Sequence, residues 1–252
     1  MHPRGDLATF GRFEAAFDAA IAPWRVEGPP VCVLFSGGVD SGLIAWELRH
    51  RRGTRLFTIG RPGSPDLVAA EGSSELVGLP WTGREVRPED LERARLSIAP
   101  ESDALPPTAR SIALSLAVAV QEAPAGELLC GQGADELFLG YAHFASLDPV
   151  RAEERAREDL QRLIDDDWPR TRRIAHRLGR RIHAPWLHPE FVAGALAVPL
   201  DLRMPRGAPK GFWRDFARGR GLPAEIANRP KRALQYGTGI DRWVRHTLGP
   251  AP

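Results

Sequence analysis

Two short segments of the sequence set acidic residues inside glycine turns. The first, VCVLFSGGVDS at residues 31–41, runs from apolar residues into Ser36, Gly37 and Gly38, then Asp40 and Ser41. A short apolar run predicts a strand buried on both faces. A glycine turn onto a helix start presents free backbone N–H groups and the positive end of the helix dipole, which favour an anion such as phosphate. Ser36 and Ser41 add hydroxyl donors, and Gly37 and Gly38 let a ligand approach the backbone closely. The spacing does not fit a GxxxxGK P-loop. Asp40 would repel a phosphate in that position unless a magnesium ion bridged the two; the plainer alternative is a helix-capping aspartate. The second segment, CGQGADELFLGY at residues 130–141, repeats the pattern with Asp135 and Glu136 opening a helix. Those acids could simply suit the helix dipole. Loops at the carboxyl ends of parallel strands line one crevice, however, so Asp40 and Asp135 are expected to share one magnesium.

The elements that must position these loops follow from periodicity. Asp6 can cap a helix with the apolar face Leu7, Phe10, Phe13, Phe17 and Ile21. Strands are expected at 31–35, 55–59, 81–86 and 127–130. Helices are expected from Ser41 to about Arg51, from Pro65 to Val77, from Pro88 to Ala94 and from Pro107 to Gln121. Alternation of this kind predicts a parallel twisted sheet with helices on both faces. Beyond about Asp148 strand signals vanish and polar helical segments take over. The expected division is an α/β nucleotide domain at 1–147, with its N-terminal helix, and a helical part at 148–252 that completes the same domain.

Composition narrows the function classes. The chain has 252 residues, of which 43% are hydrophobic and 26% charged, as in an ordinary folded protein. A formal net charge of +2 argues against a nucleic-acid partner. The apolar runs fall short of the roughly 18 residues a membrane helix needs, and the N-terminus lacks an apolar signal core, so the protein is read as cytoplasmic. Cys32 and Cys130 suggest neither a disulfide framework nor a zinc pattern. Of 34 basic residues only Lys210 and Lys231 are lysines, which singles them out as compact point charges. The clearest arginine cluster, Arg170, Arg172, Arg173, Arg177, Arg180 and Arg181, reads as a solvated helical face.

Four segments together carry a family resemblance. SGGVDS at Ser36 resembles the signature of the ATP-pyrophosphatase (PP-loop) group, whose sheet is adenine-nucleotide α-hydrolase-like. GQGADELFLGY at Gly131 is similar to the second motif of the asparagine synthetase C-terminal domain. RPGSPDLVAA at Arg61 and RPKRALQYGTG at Arg229 are similar to further segments of it, in matching order from about Ala20 to Gly239. The resemblance implies an ATP-dependent carbon–nitrogen ligase. A carboxylate, aspartate by default, would attack the α-phosphorus of ATP and form an acyl-adenylate with release of pyrophosphate. Ammonia or another amine would then displace AMP. By the same resemblance Leu34, Ser36, Ile59, Gly60 and Gly131 contact ATP, and the glycine turn adds Gly37, Gly38, Asp40 and Ser41 to the expected ATP site. Asp40 and Asp135 bind Mg2+. Lys231 neutralises charge at the reacting centre, and Lys210 matches a second lysine of the family, also expected to be catalytic. Glu101 is the candidate acid or base, with Asp103 next.

Several positions depart from the family pattern. Gln132 replaces the common Glu of GEG, and His188 in APWLHPE replaces an Asp; packing or capping is the expected role of that histidine. With His183 it makes no HExxH, so a zinc site is not expected. The resemblance starts without the family's N-terminal glutaminase domain. The expected nitrogen source is therefore free ammonia, another amine, or a separate glutaminase subunit. A tRNA-modifying pyrophosphatase is the competing enzyme reading, and a nucleotide-binding subunit without turnover is a third.

Overall fold

The structure is a computed structural model and describes residues 7–205, 208–230 and 237–247. Its sheet is built from five parallel strands: β1 (Val31–Leu34), β2 (Thr54–Gly60), β3 (Trp81–Glu85), β4 (Glu127–Leu129) and β5 (Ile182–His183), in the order β3-β2-β1-β4-β5. Chain order reverses between β1 and β4. In such a sheet that is where a crevice opens beyond the strand ends. In register, Val31 faces Thr54 on one side and Glu127 on the other, so the carboxyl ends of β1, β2 and β4 lie side by side.

The continuous apolar run of β1 is explained by burial on both faces. Val31 and Val33 enter one core cluster with Leu56 and Leu129; Cys32 enters the opposite cluster with Phe57, Ile59 and Leu128. The first cluster holds α1 (Leu7–Arg25), α2 (Val39–Glu47) and α3 (Pro65–Val77). The second holds α4 (Pro88–Ser97), which leads through the short α5 (Ala99–Ser102) into α6 (Pro107–Glu122). The expected α/β architecture with helices on both faces is therefore what forms. In α1, Phe13, Phe17 and Ile21 are fully buried, whereas Phe10 is 44% exposed and meets Phe212 and Phe216 edge-on. The expected cap, Asp6, lies outside the described residues.

After α7 (Ala134–Leu137) the chain is largely helical, as expected. It continues through α8 (Pro149–Arg162), α9 (Trp168–Arg177), α10 (Pro189–Leu196), α11 (Leu200–Arg203), α12 (Gly211–Gly219), α13 (Ala224–Ala227) and α14 (Ile240–Thr247). One expectation fails here, because strand signals do not vanish entirely. β5 pairs with β4 through two residues, too few to show a periodicity in sequence. The C-terminal part also supplies core. Trp186, Phe191, Trp213 and Phe216 interlock with Phe13, Phe17 and Phe138, including a Phe138–Trp213 stack with centroids 4.6 Å apart. Aromatic contacts of this kind add to the apolar area they bury. α12 and α13 thereby close over α2; a Cβ on Gly42 would press into Ile226 of α13.

Candidate active site

α2 starts at Val39, two residues earlier than expected, so Asp40 lies in the first turn of the helix rather than ahead of it. Gly42 N–H donates to the Gly38 carbonyl at 2.8 Å, which closes that turn. The Ser41 hydroxyl accepts from the Ser36 amide at 3.2 Å and lies 3.4 Å from the Ser36 hydroxyl. The loop is thus braced internally, with its serines and glycines at the end of β1. Leu34 ends β1 and Ile59 and Gly60 end the adjacent β2, so these three of the residues expected to contact ATP share one edge of the crevice.

The second acidic loop reaches the first. Gly131 packs so closely on the start of α2 that a Cβ would lie 2.7 Å from Asp40 Cβ and 2.9 Å from both the Asp40 carbonyl carbon and the Ser41 amide nitrogen. Real Cβ atoms do not approach backbone that closely, so the loops must part if any side chain is added. Gly131→Ala is expected to cost about 1–3 kcal/mol in urea unfolding and to weaken ATP binding. Wild-type values for both would show that the contact is dispensable.

Asp40 and Asp135 converge on one atom. The Lys210 ammonium lies 2.5 Å from Asp40 Oδ2 and 2.7 Å from Asp135 Oδ1, with the lysine side chain only 1% exposed. Lys210 sits just ahead of α12 at φ 57, in the left-handed region, which costs a non-glycine residue roughly 1 kcal/mol or more. Its amide donates to the Phe138 carbonyl at 3.0 Å, and its carbonyl accepts the first turn of α12 from Arg214. Gly140 makes the room, since a Cβ there would overlap Asp135 Oδ1 and Lys210 Cε.

Other residues hold the trio in place, and sequence reasoning missed them. Trp213 Nε1 donates to Asp40 Oδ1 and Trp186 Nε1 to the Asp40 carbonyl, each at 3.1 Å. Both indoles are fully buried, and a buried indole N–H needs an acceptor. That need was the available signal, but it names no partner. Arg229 donates to the Ser36 and Pro65 carbonyls and pairs with Asp66 at 3.0 Å. It joins the RPK segment to the Ser36 loop. Burial depresses the pKa of Arg214, while the charges of Asp40 and Asp135 pull it back up. That guanidinium donates to the Ala227 and Arg229 carbonyls.

Not every expected residue joins this cluster. Glu101 is bound by Arg177 at 2.9 Å, an α5–α9 contact, and shares no hydrogen bond or ion pair with Asp40, Asp135 or Lys210. Lys231 lies outside the described residues. His188 follows a short 3-10 turn and occupies the N-cap position of α10, but its side chain makes no capping hydrogen bond. His183 is bound to Glu127 at 2.9 Å, away from His188. The arginine cluster is mostly committed. Arg170 pairs with Asp167, Arg177 with Glu101 and Arg181 with Glu127, and Arg180 donates to four carbonyls between Val120 and Gly126. Arg177 and Arg181 stay exposed while paired, and among the described residues only Arg172 and Arg173 of the six are exposed without an ion pair, which is a narrow basis for a nucleic-acid surface.

Cys32 is buried and Cys130 partly so, and both thiols are held protonated. Burial pushes Cys32 up to about 12 and Cys130 up to about 11. Because the thiolate is the nucleophile, native protein at pH 8 is expected to resist iodoacetamide and to react at both positions in denaturant. Equal rates in the two conditions would contradict that burial.

The sequence profile described as Asparagine synthase matches residues 12–170 and 148–250. The chain belongs to the asparagine synthase family. Glutamine-hydrolyzing asparagine synthetase of Mus musculus is 28% identical over 254 residues, covering 94% of this chain and 45% of that protein. A Methanocaldococcus jannaschii protein named for the same enzyme is 28% identical over 260 residues, covering 87% of this chain and 48% of that one. This asparagine synthase family chain therefore spans less than half the length of the relatives it matches. Among solved structures, a U34-tRNA thiolase from Methanococcus maripaludis aligns over 94% of this chain and 80% of its own, at 11% identity and a TM-score of 0.35, too slight to carry an argument. Among the described residues no helix is long and apolar enough to cross a membrane.

Proposed function

We propose that this chain is an ATP-dependent amide synthetase that activates a carboxylate, aspartate by default, as its acyl-adenylate. The observation that supports this reading most is the meeting of Asp40 and Asp135 at one point beside a glycine turn, in a chain of this family. The turn at Ser36, Gly37 and Gly38, with Ser41 and the first N–H groups of α2, receives the phosphates. Leu34, Ile59, Gly60 and Gly131 contact the adenosine. A carboxylate oxygen attacks the α-phosphorus, the α–β bridging oxygen leaves with pyrophosphate, and an amine then attacks the acyl carbon as AMP departs. Lys210 and Lys231 balance the negative charge on the leaving group.

Magnesium is the metal this reading implies, and the residues fit it. Asp40 and Asp135 offer hard oxygen donors aimed at one point. Mg2+ is commonly held by one or two carboxylates together with substrate phosphates and water. Asp40 and Asp135 would hold it, and it would neutralise phosphate charge.

The relatives are named for glutamine hydrolysis, which makes ammonia the first amine to test, supplied free or by a glutaminase partner. The experiment is ATP–pyrophosphate exchange across a panel of carboxylates, with aspartate first and ammonium withheld. Mg2+-dependent exchange with one carboxylate is expected. Cleavage of ATP to ADP, with no exchange for any acid, would overturn the reading.

A further inference from the structure

We infer that Lys210 is a placeholder cation: its ammonium holds the Asp40 and Asp135 carboxylates together until magnesium arrives with nucleotide, and the metal then displaces it. This rests on the metal site proposed above. The seat for the ammonium is built rather than incidental. Lys210 is 1% exposed and touches both carboxylates, on two different loops. Its backbone is held at φ 57, next to Leu139 and Gly140, and Leu139 also has a positive φ, 52. Gly140 is bare where the lysine stem passes. Two strained non-glycine residues at one spot are kept only where surrounding structure over-determines them.

Electrostatics gives the arrangement a purpose. Two carboxylates facing each other without a cation would repel and drive the loops apart. Within the trio one ammonium offsets one of the two carboxylate charges, with the Arg214 guanidinium close enough to act on both acids, so the crevice stays assembled. With magnesium and its triphosphate bound, Asp40 and Asp135 would hold the metal in place of the ammonium. The released ammonium then has the triphosphate as its nearest anion. No bond to carbon or phosphorus changes in this step; it is an exchange of cations with charge conserved. The same lysine thus serves apo-site assembly first and phosphate neutralisation second.

Mn2+ binding followed by electron paramagnetic resonance tests this without turnover. Lys210→Met is expected to bind Mn2+ in the absence of nucleotide at least 10-fold more tightly than wild type. With α,β-methylene-ATP present the order is expected to reverse, since the variant lacks the ammonium for the triphosphate. Equal affinity for free Mn2+ in the two proteins overturns the placeholder role. Asp40→Asn in the Lys210→Met background separates the two ideas. If that change leaves Mn2+ binding intact, the metal site itself is wrong; if it abolishes binding while Lys210→Met alone equals wild type, only the placeholder role falls. Should Lys210→Met not fold, the wild-type protein decides. With only two lysines in the chain, the Lys210 Nζ resonance is readily assigned in a 15N-lysine sample. It is expected to shift when Mg2+ is added to the complex with α,β-methylene-ATP, and a resonance unmoved by Mg2+ overturns the proposal.

Discussion

Asp40→Asn is expected to lower pyrophosphate release by on the order of 1,000-fold or more while the fold survives. The amide keeps the shape of the side chain and an oxygen for the Trp213 indole, which donates to Oδ1 at 3.1 Å. It removes the negative charge that Lys210 pairs with and that a metal needs. Asp135→Asn should do the same, because both carboxylates address the same point. Circular dichroism and quenched-flow release of pyrophosphate separate loss of fold from loss of function. Wild-type turnover in either variant would remove that residue from the site.

Lys210→Met carries the largest expected effect on stability. The lysine is buried between two carboxylates whose side chains are 18% and 13% exposed. Removing one partner of a buried ion pair strands the opposite charge and costs about 3–5 kcal/mol. For a domain of this size that corresponds to a fall in Tm of roughly 6–20 °C. Part of the loss offsets itself, since methionine releases the desolvation cost of the ammonium. A thermal melt of the metal-free variant within 2 °C of wild type (roughly 1 kcal/mol or less) would mean the trio contributes nothing to the apo fold.

Much of this architecture was legible in sequence because its signals are local. Val31–Leu34 is apolar without alternation, as burial on both faces demands, and the glycine turn after it marks the loop. The meeting of Asp40 with Asp135 also followed, since parallel strands put such loops at one end of the sheet. What stayed hidden depends on contacts distant in sequence. Lys210 pairs with residues 170 and 75 positions earlier, and its sequence neighbours do not announce a left-handed backbone. It matched a second lysine of the family, yet its seat between Asp40 and Asp135 could not be read from a motif. Trp186 and Trp213 looked like core, and they are; their indole N–H groups nevertheless fix Asp40. β5 is only two residues long and gains its identity solely from pairing with β4. Glu101 was placed by a family register, and the structure instead commits it to Arg177.

The decisive measurement follows oxygen from the acceptor. With aspartate labelled by 18O in its side-chain carboxylate, and Mg2+, ATP and ammonium supplied, AMP is expected to carry one atom of 18O. That transfer can arise only if the carboxylate attacked the α-phosphorus. Label appearing in inorganic phosphate together with ADP would place the attack on the terminal phosphorus and contradict the account.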